Sequence, residues 1–142
     1  MDKKDQITNI IPMGDDFSIE LTFDSHKLHP LKKPVMGVVI KHSFLGTIGG
    51  VNTRMTGFQS QNGPYDRAFM QCRLRHPPLL QGQYLVDVWL GDGLEDLDTL
   101  TECISFNIAE SNIYRTGRTP FSQMGTIFLE PEWEICPASS CC

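Results

Sequence analysis

The chain has 142 residues, 40% of them hydrophobic, which suits one domain with a single core. A formal net charge of -5 argues against electrostatic binding to nucleic acid, which needs Lys and Arg on phosphates, and no basic patch offsets it. The longest apolar run, Pro34 to Ile40, falls far short of the roughly 20 residues that span a bilayer. Met1-Asp-Lys-Lys-Asp has no apolar stretch behind it, so a soluble intracellular protein without direct membrane insertion is expected.

In chain order the sequence reads as short strands separated by Gly, Pro and Asp clusters. Ile7 to Ile11 makes a short first strand, ended by the Pro12 to Asp16 turn. Phe17, Ile19, Leu21 and Phe23 alternate with Ser18, Glu20, Thr22 and Asp24, the period of two that marks a half-buried antiparallel strand. Residues 26–33 carry His, Pro and Lys and form a loop. The rest is organised around Lys33 to Thr53, a strand, a turn and a second strand. Val35, Met36, Val38, Val39 and Ile40 are apolar on both faces, as in a strand in the middle of a packed sheet. Ser43 to Gly46 closes the turn, and Gly49 with Gly50 predicts a bulge or a close approach of another backbone. Arg54 to Asp66, with Gly57, Gly63 and Pro64 among Gln and Ser, reads as a mobile surface loop.

Alternation resumes at Ala68. Ala68, Met70, Cys72 and Leu74 face the core and Phe69, Gln71, Arg73 and Arg75 face outward, until Pro77 and Pro78 stop the strand. Gly82-Gln-Tyr84 resembles the corner that precedes a strand in immunoglobulin-like sandwiches, where a Tyr hydroxyl bonds back to upstream backbone. Tyr84, Val86, Val88 and Leu90 then point inward, and Leu85, Asp87 and Trp89 outward. Gly91 to Leu100 is acidic and turn-rich, with one helical turn expected through Leu94 and Leu97. Ile104, Phe106 and Ile108 form the next core stripe, opposite Ser105 and Asn107. After a polar loop over Ser111 to Gln123, Gly125 to Ile135 is the last strand, with Phe128 on one face and Ile127 and Leu129 on the other. A terminal strand that is apolar on both faces is a candidate for pairing beyond its own monomer.

About seven short strands and no long helix predict an all-β fold, an antiparallel β-sandwich. Spacing does not separate immunoglobulin-like from jelly-roll connectivity, and Gly82-x-Tyr84 favours the first. The expected organisation is a single sandwich domain over residues 1–135 and a disordered, Cys-containing tail over 136–142. Cys72 and Cys103 fall within strand patterns, as small buried hydrophobes. The tail cysteines, Cys136, Cys141 and Cys142, suggest a metal site, a redox pair or a prenylated terminus. Three ligands do not close a zinc site, however, and no nucleotide-binding loop supports the analogy with prenylated GTPases. A disordered tail or a cloning boundary is the simpler account.

The pieces Pro34-Val-Met-Gly37-Val-Val-Ile40, Gly50-Val-Asn52-Thr53, Leu80-Gln-Gly82-Gln-Tyr84 with the strand to Leu90, Phe106-Asn-Ile108, and Gly125 to Leu129 with Trp133 share a pattern. Together they resemble the C-terminal domain of Wzt, the ATP-binding subunit of the ABC transporters that export O-antigen polysaccharide, over about Ile10 to Trp133. The resemblance implies a non-catalytic β-sandwich module that binds the polysaccharide to be exported. It also implies a cytoplasmic place at the inner face of the membrane, beside the ATP-binding and membrane subunits, and a homodimer through an exchanged C-terminal strand. Two departures stand out: no Gly-x-x-x-x-Gly-Lys-Ser/Thr loop of an ATPase domain occurs, and the first strand is short or missing.

Sugar binding needs an aromatic face for a pyranose ring and planar polar side chains for its hydroxyls. Trp89 and Asp87 share the outward face of one strand. If it pairs with the strand carrying Ser105 and Asn107, the four stand together, and Lys41, near the end of the central strand, joins them. Gln71 and Arg73 form a second candidate face, for which an ordinary solvated surface is the simpler account. For Trp89 the simpler accounts are cover for the sheet under a loop, or a dimer contact. Asn52 and Thr53 match the family pattern, and a turn or bulge explains them as well. Neither a cofactor nor a metal is expected: Asp92, Glu95, Asp96 and Asp98 lack EF-hand spacing, and His26, His29, His42 and His76 lack zinc spacing. Catalysis is not expected either, since Ser43 beside His42 is not a triad and no Gly-x-Ser-x-Gly elbow occurs. The rival readings are a structural dimerisation module of the ATP-binding subunit, without direct glycan binding, and a small β-sandwich hydrolase.

Overall fold

The computed structural model describes residues 9–25, 29–59, 63–118 and 125–138. Its elements are β1 (Ile10–Pro12), β2 (Phe17–Asp24), β3 (Pro34–His42), β4 (Gly46–Asn52), α1 (Thr53–Thr56), β5 (Arg67–Leu74), β6 (Gly82–Asp92) and β7 (Glu95–Ala109). Five strands make one sheet in the order β1-β7-β6-β3-β4, and β2 pairs with β5 in a second. The fold is an all-β sandwich.

Its core is the sum of the alternating stripes. Phe17 and Ile19 of β2, Met36 and Val38 of β3, Tyr84, Val86 and Val88 of β6, and Phe106 and Ile108 of β7 are all buried in one cluster. Phe17 meets Phe106 at 5.2 Å between ring centroids, and Phe106 stacks on Tyr84 at 5.5 Å. The Tyr84 corner forms as expected: the hydroxyl donates to Leu80 O at 2.7 Å, with Thr126 O a second acceptor at 3.2 Å. Burial pushes the phenol pKa up to about 12.

The organising pair sits where its two apolar faces require, with β3 between β6 and β4. Both expectations for the glycines hold in part. The β3–β4 register slips between Ile40 and Lys41, which leaves Ile48 as the bulged residue. A Cβ added to Gly50 would lie 3.1 Å from Val38 O.

Four segments differ from the sequence reading. β1 runs parallel to β7, with Ile10 beside Asn107, so the sandwich is not wholly antiparallel. Met13 N–H donating to Ala109 O and Asn107 N–H donating to Asn9 O extend that ladder at both ends. The loop over Arg54 to Asp66 begins within a helical turn, because Asn52 Oδ1 accepts from Met55 N–H at 2.8 Å and caps α1. The helical turn expected through Leu94 and Leu97 is instead the β6–β7 hairpin, with β7 starting at Glu95. Gly93 supplies a left-handed φ of +61° and Asp92 Oδ1 accepts from Lys33 N–H at 2.7 Å, pinning the turn to the start of β3. Leu97 is a bulged residue, which hides the strand period.

The fourth difference is the last strand. Residues 125–135 make one isolated bridge, Ile127 with Leu79. Phe128 is buried, and its N–H donates to Pro78 O at 2.8 Å. Beyond it Leu129 is exposed, and Trp133 and Ile135 are 89% and 97% exposed. Ile7, His26, the 119–124 part of the polar loop and the cysteines at 141 and 142 lie outside the described residues.

Two strands are too few to cover five. The uncovered inner face leaves a cleft of 720 Å³ lined by Met36 and Val38 of β3, Val51 of β4 and Met70 and Leu74 of β5. One edge of β5 has no strand neighbour among the described residues.

Candidate functional site

The outer face of the five-stranded sheet gathers most of the sequence candidates. On β6, Tyr84 faces the core, so Gln83, Leu85, Asp87 and Trp89 face away from it. Pairing puts Asn107 opposite Gln83 and Ser105 opposite Leu85 on β7, and Lys41 opposite Leu85 on β3. Lys41, Asp87, Ser105 and Asn107 therefore stand together. Gln83, which sequence reasoning did not single out, joins them and donates to Ser105 Oγ at 3.2 Å. From Gln83 to Trp89 the face extends about 20 Å along β6.

Asp87 is the centre of this face. One carboxylate oxygen lies 2.7 Å from Lys41 Nζ and the other accepts Glu102 N–H at 2.7 Å. Glu102 has a φ of +50°, within the β7 irregularity opposite Val86 to Val88, so Asp87 anchors that bulge. The Lys41 hydrogen bond, and after it the Glu102 amide, hold the carboxyl below its ordinary value. The same bond holds the Lys41 ammonium above its own. The pair is ionised at neutral pH and presents fixed charges that accept from, and donate to, hydroxyl groups.

Trp89 is covered on both faces. It lies flat across Gly37 of β3, where an added Cβ would fall inside the indole. The Arg54 guanidinium sits over the ring at 5.1 Å from its centroid. Arg54 is held there by Gly93 O at 2.8 Å, Asp96 at 3.1 Å and Glu95 O at 3.3 Å. The signal for Arg54 was weak, a cation just after a capping Asn, and its contact with Trp89 comes only from the tertiary fold. Asn52 and Thr53 serve α1 and β3: Asn52 caps the helix, and Thr53 Oγ1 accepts from Met36 N–H at 3.3 Å.

Gln71 and Arg73 belong to the other sheet, away from this group. Gln71 reaches Glu20 across the β2–β5 pair at 3.4 Å, and Arg73 reaches Asp16 at 3.4 Å. Among the described residues no group of three or more His, Cys, Asp or Glu is placed to hold a metal ion. No described helix is long and apolar enough to cross a membrane.

The family model described as the Wzt C-terminal domain matches residues 1–121. The chain belongs to that family. The match takes in β1 to β7, and with them both candidate faces. A solved structure titled "Crystal structure of the C-terminal domain of wzt" is similar with a TM-score of 0.66 and 17% identity, over 89% of this chain and 73% of that chain. At that identity the likeness to the Wzt domain is one of fold. No curated protein sequence matches. The Wzt C-terminal match ends before residues 125–138, so the exposed apolar segment stands outside it.

Proposed function

We propose that the chain is a non-catalytic carbohydrate-binding module which recognises an O-antigen or related surface polysaccharide for export. It acts in the cytoplasm beside the ATP-binding and membrane subunits of an ABC transporter. The observation that carries this reading is the polar outer face of the five-stranded sheet, with Lys41, Asp87, Gln83, Ser105 and Asn107 side by side. Sugar hydroxyls both donate and accept, and this set offers both roles without a buried cavity. Trp89 bounds the face at one end. With Arg54 over its ring, a sugar there meets the guanidinium N–H groups that Gly93, Glu95 and Asp96 leave unused. Gln71 and Arg73, already engaged with acidic neighbours on the other sheet, are a secondary face.

Polysaccharide from the chain's own source is the test, set beside polysaccharides of unrelated structure. Asn107→Ala, which removes an exposed side chain from the face, is expected to lower affinity for the cognate polysaccharide about tenfold, the effect of losing about 1.4 kcal/mol of polar contact. Equal binding of all polysaccharides, or none, would refute the reading.

A dimerisation module is the second reading, favoured by the apolar cleft beside the free edge of β5 and by the exposed Leu129, Trp133 and Ile135. An extended segment of a second copy, laid along β5, would pair that edge and bury its own apolar side chains. The two readings meet in a homodimer with two sugar faces, whose simultaneous engagement raises apparent affinity without any new contact. They part if Asn107→Ala leaves the dimer intact and weakens recognition, or if the dimer forms and binds nothing.

A further inference from the structure

We propose that His76 is a pH-operated clasp that holds the C-terminal segment on the body of the domain. His76 lies in the connection from β5 to β6, with a left-handed φ of +46° and its own N–H donating to Asp16 Oδ1 at 2.8 Å. This backbone aims the ring at two acceptors from distant parts of the chain. Nδ1 is 2.8 Å from the carbonyl oxygen of Gly14, in the β1–β2 turn, and Nε2 is 2.6 Å from Glu130 Oε1, in the C-terminal segment.

A carbonyl oxygen only accepts, and so does an ionised carboxylate. Neutral imidazole has one N–H and satisfies one of the two. Both contacts hold together only when both ring nitrogens carry a proton, so the geometry is that of the imidazolium. The same ring meets Phe128 edge-on at 5.6 Å between centroids, and Phe128 is the buried side chain that anchors the segment. The clasp therefore joins three separate stretches at one side chain.

The two carboxylates near the ring act in the same sense, while the nearby arginines engage one of them. Glu130 comes from the C-terminal segment and Asp16 from the β1–β2 turn. Arg73 of β5 is paired with Asp16, and Arg75, on the connection of His76 itself, is close enough to act on Asp16. The Glu130 bond first, and the Gly14 carbonyl second, raise the imidazole pKa above 6.5. A raised folded value means that the contribution to holding the segment is complete below about pH 6.5 and is lost as pH rises through the folded pKa. Above it a neutral ring keeps its proton on Nδ1 for Gly14 and turns a lone pair toward Glu130. The segment then loses one of its two polar ties just after Phe128, where the exposed Leu129, Trp133 and Ile135 begin, and keeps the Tyr114 hydroxyl on Leu129 O at 2.6 Å. This inference does not depend on sugar recognition.

The test uses the full chain: an NMR titration of His76, and exchange of the Phe128 amide between pH 5.5 and 8.5, corrected for intrinsic exchange. His76 is expected to titrate above 6.5, and Phe128 protection to fall about two- to fivefold as it deprotonates, the range open to an exposed ion pair. Glu130→Gln is expected to remove the step in protection and bring the His76 pKa down. His76→Gln should give protection that does not vary with pH, and serves alone if the first variant folds poorly. Titration of wild-type His76 at or below 6.5, or flat Phe128 protection across the range, would overturn the clasp.

Discussion

Tyr84 shows how one side chain fixes a strand. Its hydroxyl is buried against Leu80 O and Thr126 O, so Tyr84→Phe leaves both carbonyls without that donor. The expected cost is about 1–2 kcal/mol, seen as a lower urea midpoint with an unchanged slope. At Gly37 the constraint is steric. Gly37→Ala must displace the Trp89 indole and with it the Arg54 guanidinium, and overpacking of this kind costs about 1–3 kcal/mol. The near-UV circular dichroism of Trp89 should change in that variant while the far-UV spectrum does not. Asp87 gives the acid limb of stability. Its folded pKa is depressed, so its contribution is present above about pH 3.9, the ordinary carboxylate value, and is lost as pH falls through the folded one. Asp87→Asn is expected to lower stability at neutral pH and to flatten its decline in acid, measured by urea unfolding between pH 2.5 and 7. At this scale alternation showed that Asp87 and Trp89 share one face of their strand and Ser105 and Asn107 one face of theirs, while their standing together with Lys41 rested on strand pairing that the fold supplies. The sequence did not show that Arg54 covers Trp89, since nothing local joins a helix cap to a strand so far along the chain.

Elements were legible wherever one face meets the core without interruption. β2 and the first part of β6 alternate cleanly between buried and less buried positions, and the sequence bounds match the observed strands closely. The amino-terminal half of β7 was not legible. Bulges at Leu97 and around Glu102 break its period, and its inner face lies beyond the reach of the two-stranded sheet, so no apolar stripe is required there. Glu95, Asp96, Asp98 and Glu102 also place charge along a long stretch of β7 whose edge away from β6 has, among the described residues, only β1 beside it at residues 107–109. The parallel β1–β7 pairing could not be read from three residues. The terminal segment had a strand's composition, yet its own fold buries only Phe128. Phe128→Ala is accordingly expected to cost about 3 kcal/mol. Trp133→Ser should leave the unfolding of the isolated domain within about 0.5 kcal/mol of wild type, the usual range for surface changes, while weakening self-association in sedimentation at rising concentration.

Across the whole molecule the unequal sheets explain both candidate surfaces. A five-stranded sheet opposed by a two-stranded one has an outer face that the second sheet does not cover, polar away from the Trp89 end where Arg54 lies, and an inner face partly uncovered for apolar side chains. The first suits a hydrated chain of sugars, and the second suits an apolar segment of another copy. On the proposed function, this separation would let recognition and assembly be altered independently, with Asn107 on one surface and Trp133 in the segment proposed for the other. Binding of the purified chain to polysaccharide from its own source, beside unrelated polysaccharides, tests the account most directly. Selective binding that Asn107→Ala weakens about tenfold in an intact, folded protein is the predicted result. Failure of a folded wild-type dimer to bind its own polysaccharide would contradict it.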